Sequence, residues 1–214
     1  MTTLIVVRHG QSLSNIRGTF TGQMDSPLTE LGMEQAKKTA VLLKDQPIRA
    51  IYSSDLERAM KTAEPTAILH GLEVVPDARL REICGGDWEG RVGEEIEKLY
   101  PENYRMWKTD IYRSVPDGGE SVLDVAARVE DFIKEILARH KGECVAIFSH
   151  AAAVRVMACN WFHKTYPEIR DVPFCANASV SIIEYDEDGV PTPRLYGYSE
   201  HQGDSVTHLS KGLA

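Results

Sequence analysis

Two arginines and two histidines follow predicted strands of this 214-residue chain and have the chemistry to bind an anion. Arg8 and His9 come directly after one apolar strand, and His150 follows another. Ser54 follows a third strand, with Arg58 one turn into the next predicted helix. In open α/β sheets, ligands bind beyond the carboxyl ends of the strands, so these side chains are expected to share one crevice. Guanidinium groups match phosphate geometry, which makes phosphate the expected ligand.

Other chemistries lack their signatures in this sequence. It has no Walker A loop, no GxGxxG after the first strand, no HExxH and no GxSxG. The seven histidines show no short metal-ligand spacing, and the four cysteines are scattered without a CxxC pair. Cys84 is therefore interpreted as structural rather than nucleophilic. The sequence predicts a site without a metal ion or cofactor and argues against a nucleotide-binding domain.

The charge balance excludes two classes of partner. Lys and Arg total 24 against 32 Asp and Glu, a formal net charge of −8. An acidic chain lacks the basic field that binds nucleic acid, and anionic lipids would repel it. The first apolar run is too short for a signal peptide or a spanning helix. We therefore expect a soluble cytoplasmic protein that contacts neither nucleic acid nor membrane.

Strands alternate with helices along the sequence. Apolar or β-branched strands are predicted at 4–7, 50–52, 72–75 and 144–148, with a late β pair at 180–185 and 194–198. Helices are predicted at 29–44, from a capping box at Ser54 to residue 69, at 121–140 and after His150. This order predicts an α/β fold, with a mainly parallel sheet and helices on both faces.

The whole chain, 1–214, is predicted to be one domain. Its middle third, 79–119, looks irregular, with a helix only at 93–100. Residues from about 87 to 118 are expected to form a small cap insertion over one edge of the sheet. The polar tail after Gly203 is expected to be loose.

A series of motifs resembles the histidine phosphatase superfamily, which includes the cofactor-dependent phosphoglycerate mutases. The tripeptide Arg8-His9-Gly10 is similar to the family's RHG signature. Further matching segments follow in order from residue 4 to about 185: Ser12 with Asn15; 20–25 with 28–32; 53–59 with Thr62-Ala63; 80–82 with 86–90; Pro116 with 119–121; and Ser149-His150. As a set these motifs are far more specific than RHG alone, and they imply a phosphoglycerate mutase-like fold.

The resemblance implies phosphoryl transfer through a phosphohistidine on His9. His9 must be neutral to attack, and neighbouring Arg8 and Arg58 disfavour its imidazolium form. A backbone carbonyl bonded to the other ring nitrogen would fix the tautomer, with Gly10 permitting close approach of the chain. Together with His150, the two arginines would clamp the oxygens of the transferred group.

Glu82 is implied as the general acid and base. It would give a proton to the departing alkoxide, and partial burial beside Trp88 would favour its protonated form. Glu89 is interpreted as a structural group. The remaining substrate contacts implied by the resemblance come from Asn15, Thr21, Gly22, Gln23 and Ala151.

Three features favour hydrolysis over isomerisation. The interval from Glu82 to His150 is short, Arg113 stands beside Ser114 rather than a second Arg, and Gln23 replaces a Trp found in mutases. We therefore expect a phosphomonoesterase for small phosphorylated metabolites. A phosphoglycerate mutase and a non-catalytic phosphometabolite-binding relative remain the alternatives. The leaving alcohol stays open, as does the choice between monomer and homodimer.

Overall fold

The computed structural model describes residues 1–207. Its strands are β1 (Thr2–Arg8), β2 (Ile48–Ser53), β3 (Val74–Pro76), β4 (Cys144–Ser149), β5 (Val180–Tyr185) and β6 (Pro191–Tyr198). Its α-helices are α1 (Leu13–Arg17), α2 (Glu30–Leu43), α3 (Glu57–His70), α4 (Gly93–Leu99), α5 (Pro101–Thr109), α6 (Val122–Arg139) and α7 (Ala151–Trp161).

The described strands form one sheet in the order β3-β2-β4-β1-β5-β6. Strands β1 to β4 are parallel, and β5 and β6 are antiparallel to their neighbours. Apolar clusters cover both faces, one including α6 and α7 and the other including α2 and α3. The predicted α/β fold with a mainly parallel sheet is confirmed.

The central strands are the two continuous apolar runs of the sequence. Strand β1 pairs with β4 in parallel register, with Val6 opposite Ile147 and Arg8 opposite Ser149. Both runs are buried on both faces of the sheet, as a strand between helical layers must be. This pairing brings the chain segments that follow the two strands to the same edge of the sheet.

Three helices differ from the expectation, and the first of them, α1, was not predicted at all. Helix α5 was missed because Pro101 was interpreted as part of an irregular stretch, whereas it occupies the first turn, where its missing N–H costs nothing. Helix α3 begins at Glu57 with Leu56 as its N-cap, so the predicted capping box at Ser54 is wrong. The Ser54 hydroxyl is used elsewhere, as described below.

The expectation of a loose tail after Gly203 is wrong for its first residues. A 3-10 helix spans Glu200–Ser205, and the carbonyl of Ser205 accepts a hydrogen bond of 2.6 Å from Gln35. The remainder of the predicted tail, 208–214, lies outside the described residues. Within 1–207, no helix has the length and apolar character needed to cross a membrane.

Candidate active site

The ends of β1 and β4 place two histidine rings side by side. His9 follows β1, and its backbone N–H donates to the carbonyl of Ser149, the last residue of β4. His150 comes next in the chain, and the centroids of the two rings are 5.1 Å apart. Both residues are buried, His9 at 4% exposure and His150 at 0%. The expected proximity of these rings follows directly from the parallel register of the two strands.

One ring nitrogen of His9 is fixed by the backbone. Its Nδ1 lies 2.7 Å from the carbonyl oxygen of Gly10. Because a carbonyl only accepts, Nδ1 carries the proton and Nε2 keeps its lone pair. Gly10 is held in place by a 3.0 Å hydrogen bond from its N–H to Thr62 Oγ1, and a Cβ at this position would lie 2.6 Å from the Gly32 carbonyl oxygen. The glycine of the tripeptide therefore allows the close approach of α2.

The surroundings of His9 keep its imidazole neutral. Burial lowers the pKa of His9 well below its ordinary value, and the positive charges of Arg58 and Arg8 lower it further. The effect of the two arginines was expected from the sequence, but burial is the larger cause of the lowered pKa. The pKa of His150 is also lowered well below its ordinary value, first by burial and then by Arg58. Two neutral imidazoles therefore adjoin two buried guanidinium groups.

Those two guanidinium groups are oriented by backbone carbonyls. Arg8 donates from Nη1 to the carbonyl of Cys175 at 2.5 Å, and Arg58 donates to the carbonyls of Gly22 at 2.7 Å and Met24 at 2.8 Å. Each arginine is 1% exposed, and burial lowers the pKa of each to about 10. Both therefore stay cationic at neutral pH. The Nε of Arg8 is buried without a hydrogen-bond partner among the described residues.

Ser54 anchors the second histidine. His150 Nε2 lies 2.8 Å from Ser54 Oγ, and this hydroxyl also accepts a hydrogen bond from the Leu56 N–H. The other ring nitrogen of His150, Nδ1, is buried and has no partner within residues 1–207. The position of Ser54 at this strand end was expected, but its hydrogen bond to His150 was not.

The Glu82 carboxylate sits at the start of α7. It accepts hydrogen bonds from the N–H groups of Ala151 at 3.1 Å, Ala152 at 3.0 Å and its neighbour Ile83 at 2.9 Å. These N–H groups fix the orientation of the carboxyl group at the start of α7. Trp88, which was expected beside Glu82, is fully buried in an aromatic cluster with rings at positions 20, 100, 104 and 107.

An open cavity joins most of the expected site residues. Its lining includes Arg8, His9, Asn15, Thr21, Gly22, Arg58, Glu82 and Ala151. The amide oxygen of Asn15 accepts hydrogen bonds from Ser12 and Asn177. That arrangement leaves the Asn15 NH₂ group as a donor toward the cavity.

His150 is not part of that lining, and neither is Gln23, for which a substrate contact was expected. Its side-chain NH₂ instead donates to the Glu82 carbonyl at 3.1 Å and to Glu120 Oε2 at 3.3 Å. Glu89, interpreted as structural, accepts from the N–H groups of Gln23 and Gly85.

The cavity wall away from the histidines is largely apolar. It is formed by Phe20, Ile83, Trp107, Ile111, Val122, Val125, Val156, Ile169 and Phe174. Arg155 is the one cation in the described lining besides Arg8 and Arg58. Its guanidinium donates to the carbonyls of Ile169 and Val172 and lies 3.9 Å from the centre of the Phe174 ring.

Asn177 and Ala178, which were not predicted as site residues, bind the backbone of His9. Asn177 donates from its side chain to the His9 carbonyl at 3.1 Å, and the Ala178 N–H reaches the same oxygen. Asn177 precedes β5, which pairs with β1 only through the tertiary fold. No local signal in the sequence marks it. In the described part of the chain, no group of three or more His, Cys, Asp or Glu side chains could hold a metal ion.

Comparison with known proteins agrees with this geometry. The sequence model of the histidine phosphatase superfamily (branch 1) matches residues 4–196. The chain is 36% identical over 187 residues to phosphoserine phosphatase 1 of Hydrogenobacter thermophilus, covering 87% of this chain and 88% of that protein.

Two solved structures share the fold. YhfR of Bacillus stearothermophilus superposes with a TM-score of 0.90 at 32% identity, covering 94% of this chain and all of that one. A mycobacterial glucosyl-3-phosphoglycerate phosphatase in complex with VO3 gives 0.85 at 30% identity, covering 92% and 99%. The family match spans most of the chain, and the chain belongs to the histidine phosphatase superfamily.

Proposed function

We propose that this protein hydrolyses small phosphomonoesters through a phosphohistidine formed on His9. The observation that carries the proposal is the free lone pair on His9 Nε2, together with two buried nitrogens of neighbouring residues that make no hydrogen bond within the described residues. Nε2 of His9 has a free lone pair, and Arg8 Nε and His150 Nδ1 lack partners among the described residues. An unsatisfied buried donor costs about 1–3 kcal/mol, and the oxygens of a bound phosphoryl group would remove that cost.

In the first step, Nε2 of His9 attacks phosphorus and the bond from phosphorus to the alcohol oxygen breaks. Arg8 and Arg58 bind the oxygens of the transferred group and offset its negative charge, the role that a metal ion has in kinases. Glu82, in its protonated form, gives its proton to the leaving oxygen. The alcohol departs, and the phosphoryl group remains on His9.

His150 supplies a further hydrogen bond to the transferred group. Because Ser54 Oγ accepts from the Leu56 N–H, its own hydrogen is free to donate to His150 Nε2. His150 then carries its proton on Nδ1, the nitrogen without a protein partner. Ser54 thereby sets which nitrogen of His150 is the donor.

In the second step, water replaces the alcohol. The Glu82 carboxylate takes a proton from the water, whose oxygen attacks phosphorus, and the bond between phosphorus and His9 breaks. Inorganic phosphate is released, and both His9 and Glu82 return to their starting forms. The amides of Ala151 and Ala152 hold the carboxylate in one orientation through both steps.

The alcohol portion of the substrate would lie against the apolar wall. Trp107 and Ile111 belong to the predicted cap, 87–118, and Val125 and Phe174 face the same cavity. These side chains favour an alcohol with an apolar portion over a small charged one such as serine or glycerate. One catalytic domain carrying this cap is the arrangement we infer.

Several observations favour hydrolysis over isomerisation. A mutase must grip the carboxylate of the bound acid and exclude water. Arg113 lies next to Asp110 at 3.4 Å with its side chain 75% exposed, and it does not line the cavity. Arg155 already donates to two carbonyls. Two of the relatives described above, the Hydrogenobacter and mycobacterial proteins, are named as phosphatases, which agrees with a phosphoric monoester hydrolase.

Phosphate release from a panel of esters tests the proposal. The panel contains 1-naphthyl phosphate, O-phosphoserine, a sugar phosphate and 3-phosphoglycerate, with isomerisation of phosphoglycerate followed in parallel. We expect phosphate from several of these, with the highest kcat/KM for the apolar ester. Fast isomerisation with little phosphate release would identify a mutase, and binding without turnover would identify a non-catalytic relative.

A further inference from the structure

Arg128 forms a bidentate ion pair with Glu120 next to the active site. Arg128 lies on α6, and its Nε and Nη2 donate to the two carboxylate oxygens of Glu120, each at 2.9 Å. Both side chains are largely buried, at 16% and 23% exposure. A planar guanidinium fitted to a carboxylate in this way has a fixed orientation, which a lysine could not reproduce.

The same guanidinium holds the chain segment that leads to Glu82. Its Nη1 donates to the carbonyls of Arg79 at 2.8 Å and Arg81 at 2.7 Å, and its Nη2 donates to the carbonyl of Glu82 at 3.0 Å. On the far side of Glu82, the Cys84 N–H donates to Glu120 Oε2 at 2.9 Å. The ion pair therefore fixes the backbone both before and after Glu82.

Arg128 does not line the cavity, and its guanidinium donates to Glu120 and to three backbone carbonyls. We propose that Arg128, oriented by Glu120, is a positioning residue that aims the Glu82 carboxyl group at the leaving oxygen. The inference rests on the proposed function, because it concerns the proton that Glu82 transfers there. The amides of Ala151 and Ala152 fix one end of Glu82, its carboxylate, and Arg128 fixes the other, its backbone.

A positioning role has a signature that a purely structural role lacks. Displacement of Glu82 lowers kcat/KM, which reports formation of the phosphohistidine, only for esters whose leaving oxygen needs a proton. An alkyl phosphate expels an alkoxide and needs that proton, whereas p-nitrophenyl phosphate expels a stable phenolate and does not. A misplacement of about 1 Å can cost roughly a hundredfold in rate. The effect of removing Arg128 on kcat/KM should therefore depend strongly on the leaving group.

The experiment compares kcat/KM for 2-phenylethyl phosphate and p-nitrophenyl phosphate, which share an aromatic body. We expect Arg128→Met to lower kcat/KM for the alkyl ester by roughly 10- to 100-fold, and for the nitrophenyl ester by less than about threefold. Arg128→Lys should recover only part of the loss. Arg79→Met is the matched control, since the Arg79 side chain pairs with Asp131 and Glu135 on α6 without contacting Glu82. It should leave the ratio between the two substrates unchanged.

The outcomes separate this inference from the proposed function. A wild-type protein that hydrolyses neither ester contradicts the proposed function and the inference with it. If the wild type is active and Arg128→Met lowers kcat/KM equally for both esters, or for neither, the inference alone is overturned. If Arg128→Met does not fold, Glu120→Gln, which weakens the grip on Arg128 but keeps its shape, should give a smaller loss confined to the alkyl ester. An equal effect on both esters in that variant also overturns the inference.

Discussion

Replacing Arg58 by Met should impair both the binding of the transferred group and the nucleophile. The substitution keeps an unbranched side chain of similar length but removes a cation that is 1% exposed and lines the cavity. Arg58 is also the larger of the two nearby charges that lower the pKa of His9, after burial itself. One change therefore tests two consequences of the same geometry.

The size of the rate effect follows from the loss of one preorganised charged donor. Removal of a donor to a developing negative charge costs about 3–4 kcal/mol, which corresponds to roughly 100- to 1000-fold in kcat/KM. The pH effect has a definite sign. Without Arg58 the pKa of His9 rises, so the imidazolium form appears at higher pH, and activity is lost earlier as pH falls. In the wild type, the pKa of His9 lies well below its ordinary value, and no loss of activity due to His9 is expected near that value.

The assay is the pH dependence of kcat/KM for p-nitrophenyl phosphate. Arg58→Lys keeps the charge but not the planar fork, so it should lower the rate while moving the acid limb less than Arg58→Met does. Lys61→Met, in the same helix and paired with Glu64 on the surface, should change neither quantity. A loss below about tenfold for Arg58→Met, with an unmoved acid limb, would refute the assigned role of this residue.

Three further predictions concern the ligand, metal ions and the aromatic cluster. Inorganic phosphate at a hundred times its Kd should stabilise the fold by about 2.7 kcal/mol and raise Tm by roughly 5–10 °C, and a constant Tm would contradict an oxyanion site. Dialysis against EDTA should leave kcat/KM unchanged, because Arg8 and Arg58 supply the positive charge; a loss that a divalent metal restores would contradict this. Trp88→Ala should lower the free energy of unfolding in urea by about 3–5 kcal/mol, since the indole is fully buried among other rings, and a loss below about 1 kcal/mol would show that the cluster is dispensable.

The central sheet was predictable because its signals are local. Apolar runs at the positions of β1 and β4 are long enough to mark buried strands, and the i, i+3, i+4 stripe of α6 marks its core face. Helix α5 was not predictable from the same rules, since Pro101 reads equally as a breaker or as a first-turn residue. Trp107 on α5 packs against Phe20 and Trp88, and these tertiary contacts favour the helix.

The same distinction between local signals and tertiary contacts applies to the candidate site. Arg8, His9 and His150 could be brought together from the sequence, since each follows a strand and the strands are parallel neighbours. The environment of Glu82 could not, because its partners are amides of α7, about 70 positions away along the chain. The partners of Gln23 could not be predicted for a related reason: one acceptor, Glu120, lies 97 positions away along the chain. Contacts of this range carry no local pattern.

Trapping the phosphorylated intermediate is the most direct test of the proposed phosphohistidine on His9. Wild-type protein is mixed with a labelled phosphomonoester, quenched within one turnover under conditions that preserve phosphohistidine, and digested for mass spectrometry. We expect one phosphoryl group, on the peptide that contains His9. A folded His9→Ala variant should show neither label nor turnover. Label on another residue, or turnover in His9→Ala above a few per cent of the wild-type rate, would contradict this expectation.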